Sequence, residues 1–255
     1  MTGATGTLAG AVARHLMANG ANVAFLGRSR EKTETAIAGL GERAGAFVCD
    51  VVDKATVDRT IDDIAAHFGR LDGLVNGAGG NMPGATIPPD KTIFDLNIDD
   101  YDRVMDLNLK GTLLPSIAAG RHFLAQGSGA IVNFSSVSSS QALTRVLGYS
   151  NAKAAVDNLT RWMATSFAHR CGDGIRVNAV CPGFFIGEQN RRLLANEDGS
   201  LTARGQQIVA KTPMGRFGEA DEVCGAVHFL LSEAARFVTG QILHIDGGFT
   251  AFSGV

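Results

Sequence analysis

A chain of 255 residues with 45% hydrophobic side chains can bury one sizeable core, and α/β domains often reach this length undivided. Its 23 basic and 25 acidic residues give a formal net charge of -2 without a like-charge block, so no nucleic-acid or membrane-surface partner is indicated and small molecules are the expected partners. No apolar stretch approaches the roughly 20 residues of a membrane span, and no basic-then-apolar leader opens the chain, which predicts a soluble, cytoplasmic protein.

Taken in chain order, Thr2-Gly3-Ala4-Thr5-Gly6-Thr7-Leu8-Ala9-Gly10 opens a helix expected over Leu8–Asn19. A strand follows at Asn22–Gly27, a helix at Arg30–Leu40, a strand at Ala46–Cys49, a helix at Ala55–Phe68 and a strand at Leu71–Asn76. After the long segment Asn81–Asp99 come a helix at Tyr101–Leu124, a strand at Ala130–Ser135, a helix at Tyr149–Arg170 and a strand at Ile175–Val180. Phe184–Gly218 precedes a last helix at Glu219–Leu231 and a last strand at Gln241–Ile245. Short Val/Ile-rich runs alternating with helical periods predict βαβ units, hence a single-domain α/β fold with a Rossmann-like, doubly wound parallel sheet. The two segments that interrupt this rhythm, at Asn81–Asp99 and at about 184–218, are the expected site-forming loops.

One feature conflicts with that fold. The glycine-rich turn begins at Gly3 with no strand before it, although such a turn is normally fed by a central strand. The expectation is a missing or truncated first strand, with a gap or a compensating rearrangement in the sheet. Cys49, Cys171, Cys181 and Cys224 are scattered without CxxC spacing. They read as reduced thiols, with no disulfide and no metal site.

The chemistry-bearing residues follow from charge and spacing. Glycines at a helix start let backbone approach a pyrophosphate, whose charge the helix N-terminus favours; an ordinary glycine turn is the alternative for such a pattern alone. Asn76-Gly77-Ala78-Gly79 follows a strand, where small residues leave room for the adenosine side of a dinucleotide. Asp50 ends a strand, where its carboxylate can accept from an adenine amino group or cap a helix. Tyr149 and Lys153 stand four apart on a predicted helix, so both project from one face. A tyrosine with an ordinary pKa of about 10 needs a neighbouring cation to act as a base near neutrality, and Lys153 supplies one. Ser136, just past a strand end, can hold the substrate oxygen.

Together these motifs resemble the short-chain dehydrogenase/reductase family. The match runs from Thr2 to Gly248, through Asp50, Asn76 to Gly79, Leu107-Asn108, Ser136, Tyr149 to Lys153, Pro182-Gly183 and Asp246-Gly247-Gly248. The resemblance implies an oxidoreductase acting on CH-OH groups, with Asn108, Ser136, Tyr149 and Lys153 as catalytic residues. Asn108 would hold a water that relays protons past Lys153, and Lys153 would also bind the nicotinamide ribose. It implies a cofactor site built from Gly3, Thr5, Gly6, Leu8, Arg28, Asp50, Val51, Asn76, Gly77, Ala78, Gly79, Tyr149, Lys153, Pro182 and Gly183, and a homodimer or homotetramer. Two positions depart from the pattern: glycines fall at Gly6 and Gly10 where the commoner motif has them at positions 7 and 9, and Gly187 replaces the threonine that contacts the carboxamide.

The second strand's end carries Gly27-Arg28-Ser29-Arg30 and no acidic residue to hold a ribose diol. Arg28 and Ser29 can bind a 2′-phosphate, which favours NADP and keeps NAD open; a solvated Arg28 or one stacked on adenine is the alternative. The 184–219 segment and the Gly79 to Pro83 loop are similar to the branch of the family that interconverts D-mannonate and D-fructuronate. A sugar acid needs a cation for its carboxylate and polar groups for its hydroxyls, so Asn81, Ser136, Gln189, Asn190 and Arg191 are the substrate-binding candidates. Two rival readings remain: another reductase of the family, acting on gluconate or a 3-oxoacyl thioester, and a non-catalytic dinucleotide sensor, against which the Ser136, Tyr149 and Lys153 set counts.

Overall fold

The structure, a computed structural model, describes residues 1–187 and 190–254. Among these residues the chain runs α1 (Thr7–Ala18), β1 (Val23–Gly27), α2 (Arg30–Ile37), β2 (Ala44–Val48), α3 (Lys54–Phe68) and β3 (Gly73–Asn76). It continues through α4 (Ile98–Met105), α5 (Gly111–Gln126), β4 (Gly129–Phe134), α6 (Leu147–Cys171) and β5 (Ile175–Pro182). The last elements are α7 (Arg191–Leu194), α8 (Ala203–Lys211), α9 (Cys224–Leu231) and β6 (Ile242–Ile245).

All strand pairs are parallel, in the orders β2-β1 and β3-β4-β5-β6. The two groups are joined by one residue: Thr2 bridges in parallel to Leu26 on one side and Asn76 on the other. Thr2 N–H donates to the Val75 carbonyl at 3.0 Å, Gly3 N–H to Leu26 at 3.1 Å, and Leu26 N–H to Met1 at 2.9 Å. The expected irregularity at the first strand is thus a sheet whose centre is held by Met1 to Gly3, and the turn still leaves the sheet where strand order reverses. That reversal is where open α/β sheets bind ligands.

Alternation along each strand feeds two cores. Val23, Phe25, Val75, Val132, Phe134 and Val180 face α1 and α9, against Val12, Leu16, Met17, Val227 and Leu230. On the other face, Ala24 and Leu26 meet α3 through Val57, Ile61 and Ile64, and Leu74, Ile131 and Val177 meet Phe123 of α5 and Met163 of α6. Burying each such large side chain stabilises the fold by about 1.5–3 kcal/mol.

The helix expected over Tyr101–Leu124 is broken. A π-helical turn at Asp106–Lys110 separates α4 from α5, and Pro115, inside α5, cannot donate to residue 111, where α5 begins. Asp50 does not cap a helix: its Oδ1 accepts from Val52 N–H at 3.2 Å, and Asp53 caps α3 through Thr56 N–H at 3.1 Å.

Candidate active site

The glycine-rich turn and the loop after β3 are packed backbone on backbone. Thr2 Oγ1 accepts from Gly77 N–H and Ala78 N–H, both at 3.1 Å. Gly3 has φ +67°, and a Cβ there would lie 2.6 Å from the Gly77 carbonyl oxygen; no larger residue fits. Gly6 is the N-cap of α1 and offers no side-chain cap, and no acidic residue stands in the first turn. The start of α1, flanked by exposed Thr5 and half-buried Leu8, therefore presents uncapped amides beside a close backbone cradle, which fits an anionic pyrophosphate. Arg28 is exposed at the end of β1. A Cβ on Gly27 would lie 2.6 Å from Thr33 Oγ1, so a carboxylate there would collide. Val51 is buried against Gly111, where a Cβ would lie 2.8 Å from its Cγ2.

Asn76 differs from the expectation of a residue lining the nucleotide groove. Its side chain is buried, with Nδ2 donating to Ser116 Oγ at 2.8 Å and to Asn133 Oδ1 at 2.9 Å. Asn133 in turn donates to Thr160 Oγ1 at 2.9 Å. This network ties β3 and β4 to α5 and α6 through the Asn76 amide nitrogen, while Asn76 Oδ1 is buried without a partner.

Gly79, Ala78 and Gly77 carry the chain from that groove to the catalytic candidates. A Cβ on Gly79 would lie 2.6 Å from Asn108 Oδ1 and 3.3 Å from Lys153 Nζ. Asn108 is fully buried in the π turn; its Nδ2 donates to Gly80 O at 2.7 Å and Val104 O at 2.8 Å, and its Oδ1 accepts from Gly80 N–H at 3.1 Å. Its side chain is thus a clamp on the loop.

Ser136 follows β4, and its Oγ accepts from Ser138 N–H at 3.2 Å. Tyr149 and Lys153 project from one face of α6, with Nζ 5.5 Å from the Tyr149 ring centre. Lys153 is 3% exposed and donates to the Phe134 carbonyl at 2.7 Å. Burial pushes the Tyr149 phenol up from its ordinary value, and the hydrogen bond with Ser136 opposes this. The Lys153 ammonium is held beside the ring by the Phe134 carbonyl. Burial also lowers Lys153 to about 8, opposed by the Asp157 carboxylate. Asp157, one turn beyond Lys153, is 8% exposed with Oδ1 unpartnered. It went unnoticed in the sequence, where Lys153-x-x-x-Asp157 looks like any helix-surface pair. Cys181 is fully buried on β5 and pushed up to about 12, chiefly by burial, which keeps it a neutral thiol.

β5 ends at Pro182, and Gly183 N–H donates to Ile245 O at 2.9 Å. A Cβ on Gly183 would lie 2.7 Å from Asp246 Cα, which explains the Pro-Gly pair. Gly187 rests against the start of α1, where a Cβ would lie 2.9 Å from Thr7 Oγ1. Asn190 braces this loop: Oδ1 accepts from Gly187 N–H and Nδ2 donates to Phe185 O, both at 2.8 Å. Its amide is therefore engaged by the loop instead of pointing to a ligand. Asn81 likewise donates to Thr86 Oγ1 at 2.8 Å. Arg191 is exposed at the start of α7, and Gln189 lies outside the described residues.

A parallel sheet with an anion-ready turn at its switch point, leading into a Ser/Tyr/Lys set, defines a nicotinamide-dependent oxidoreductase. Residues 3–250 match the family described as enoyl-(acyl carrier protein) reductase, and the chain belongs to this short-chain dehydrogenase/reductase family. It is 40% identical over 267 residues to the "Uncharacterized oxidoreductase UxuB" of Bacillus subtilis (strain 168), covering 100% of this chain and 95% of that protein. A solved structure from Haemophilus influenza, provisionally named D-mannonate oxidoreductase and holding bound NAD, aligns with TM-score 0.92 and 38% identity over 100% of this chain and 95% of its own. A gluconate 5-dehydrogenase from Burkholderia cenocepacia J2315, in complex with NADP and tartrate, aligns with TM-score 0.86 and 36% identity over 98% and 94%. The protein is an NAD(P)-dependent short-chain oxidoreductase. Among the described residues no helix is long and apolar enough to cross a membrane.

Proposed function

We propose that this enzyme interconverts a sugar acid and its keto form, D-mannonate and D-fructuronate, with Tyr149 as the acid/base. The observation that carries the chemistry is the meeting of Ser136, Tyr149, Lys153 and Gly79 at the end of the sheet, beside the uncapped start of α1. When bound, the nicotinamide supplies or takes up the hydride. In reduction Tyr149 gives its phenolic proton to the substrate oxygen as the carbonyl becomes an alcohol, and Ser136 donates a hydrogen bond to the same oxygen. Lys153 holds the nicotinamide ribose and keeps positive charge under the phenol, which favours the phenolate left behind. Asn108 fixes the Gly79-Gly80 backbone over this set, and its π turn is the place for a water that returns the proton. Gly3, Thr5, Gly6 and Leu8 hold the pyrophosphate; Asp50, Val51 and the backbone of Asn76 to Gly79 hold the adenosine side; Pro182 and Gly183 face the nicotinamide.

The sugar-acid reading draws on two neighbours: one carries the provisional D-mannonate name, and the other was crystallised with tartrate, a small hydroxy acid. That second neighbour also favours gluconate as the runner-up substrate. Arg28 beside the barred Gly27 position favours NADP, while NAD stays compatible with a solvated Arg28. Exposed Trp162 of α6, at 67%, supports assembly into two or four copies. Aldonates and ketoaldonates assayed by nicotinamide absorbance with both cofactors test the reading. Turnover of D-mannonate and D-fructuronate is expected. Silence on both, with good reduction of an uncharged or acyl ketone, would overturn it.

A further inference from the structure

The loop between Ser136 and Tyr149 contains the only non-glycine residue of positive φ among the described residues: Arg145, at +77°. An L side chain is disfavoured there, and such conformations persist where the surroundings impose them, often at ligand sites. Both site-forming loops converge on this point. The Arg145 carbonyl accepts from Ile87 N–H at 2.9 Å, which anchors the Asn81–Asp99 segment. The Arg204 guanidinium, on the first turn of α8 in the other segment, donates to Thr144 Oγ1 at 3.3 Å. Arg145 and Arg204 are both half-buried, and among the described residues neither forms an ion pair. Arg204 is lowered from its ordinary value, first by burial and then by the like charge of Arg145.

We infer that Arg145 and Arg204, brought together at the turn four residues before Tyr149, form the seat for the substrate's carboxylate, with Arg191 left outside it. This rests on the sugar-acid reading and names the residues behind it. Two partly desolvated guanidiniums at close quarters repel each other, and an anion between them relieves both the repulsion and the lost hydration. Guanidiniums also present paired N–H donors that match a carboxylate, so two of them can fix its orientation as well as its charge. The strained turn at Arg145 holds one of the two in place ahead of binding.

The test uses Arg145→Asn, since asparagine tolerates positive φ, together with Arg204→Gln and Arg191→Gln as the comparison, each checked by thermal melting. The probe is tartrate titrated calorimetrically into the enzyme saturated with NADH, in parallel with D-fructuronate kinetics. Arg145→Asn and Arg204→Gln should each weaken tartrate at least about tenfold and raise the fructuronate KM by a similar factor with kcat changed less than about threefold, as expected when a group binds ground and transition states alike. Arg191→Gln should change either value by less than about threefold. If Arg145→Asn fails to fold, Arg204→Gln alone decides in the same way. Unchanged tartrate affinity in the variants, or none in the wild type, overturns the seat; if fructuronate is still reduced, the sugar-acid reading survives without it. Tartrate bound by the wild type and lost in both variants, with D-mannonate and D-fructuronate both inert, keeps the seat and removes the sugar-acid identity.

Discussion

The floor of the active site and its rim are built by different means. On the floor, Ser136, Tyr149, Lys153 and Asn108 are set by the sheet and by buried hydrogen bonds: Lys153 to the Phe134 carbonyl, Asn108 to Gly80 and Val104. At the rim, the polar residues Asn81 and Asn190 are engaged in bracing their own loops, and Arg145 and Arg204 come from segments far apart in sequence. Floor residues are positioned by packing between the sheet and its helices. Rim residues are positioned by hydrogen bonds within and between loops, as at Asn81–Thr86, Asn190–Phe185 and Arg204–Thr144. In the proposed function, reaction type is assigned to the floor and substrate choice to the rim.

Variants that break the floor should cost most. Tyr149→Phe removes the proton donor and keeps the ring, so kcat should fall about a hundredfold or more while the melting temperature and NADH affinity barely move. Near-normal turnover in the purified variant would remove Tyr149 from the mechanism. Because burial raises the phenol, the protonated form needed for reduction persists through neutral pH. The ionised form needed for alcohol oxidation grows as pH rises. Paired pH profiles of kcat/KM should therefore show a level reduction limb and a rising oxidation limb above neutrality; an oxidation limb already level near pH 6 contradicts the raised phenol.

Gly79→Ala strikes the seam between floor and nucleotide loop, since its methyl would sit 2.6 Å from Asn108 Oδ1. The clamp must shift, and a displacement of this kind near the reacting groups should lower kcat/KM by about tenfold to a hundredfold. Retention of wild-type kinetics would show that the loop yields freely. Arg28→Ala tests the groove's outer end: if Arg28 pairs with a 2′-phosphate, NADP affinity should drop by about tenfold and NAD affinity should stay, a value set by charge-assisted hydrogen bonding discounted for exposure. Equal losses by fluorescence titration would mean that Arg28 does not discriminate. The smallest effect is expected at the rim brace. Asn190→Ala should alter substrate KM by less than about threefold and soften the loop, seen as faster amide exchange at Gly187; a tenfold rise in KM would return Asn190 to the ligand.

Much of the floor was legible in the sequence because its signals are local. Tyr149 and Lys153 share a face through helix period alone, and the strands were found by apolar runs, with ends shifted by at most two residues. The buried network of Asn76 with Ser116, Asn133 and Thr160 was not legible because a strand-end asparagine looks the same whether its amide faces a groove or joins the core. The break near Asn108 was missed because Asp106 to Lys110 contains no Gly or Pro to mark it. Asp157 gave no signal of its own, and the bridging role of Thr2 gave none either, since both depend on what packs against them.

By itself the sequence determined the parallel α/β class, the order of its strands, the glycine-rich turn and the candidate Ser/Tyr/Lys set, since each depends on periodicity, glycine freedom or short spacing. The tertiary structure decided how Met1 to Gly3 holds the middle of the sheet, which face of Asn76 is spent on the core, the direction in which burial moves the Tyr149 and Lys153 protons, and the meeting of Arg145 with Arg204. Those outcomes depend on contacts between residues distant in the chain, and on the water that such contacts exclude, neither of which local pattern encodes.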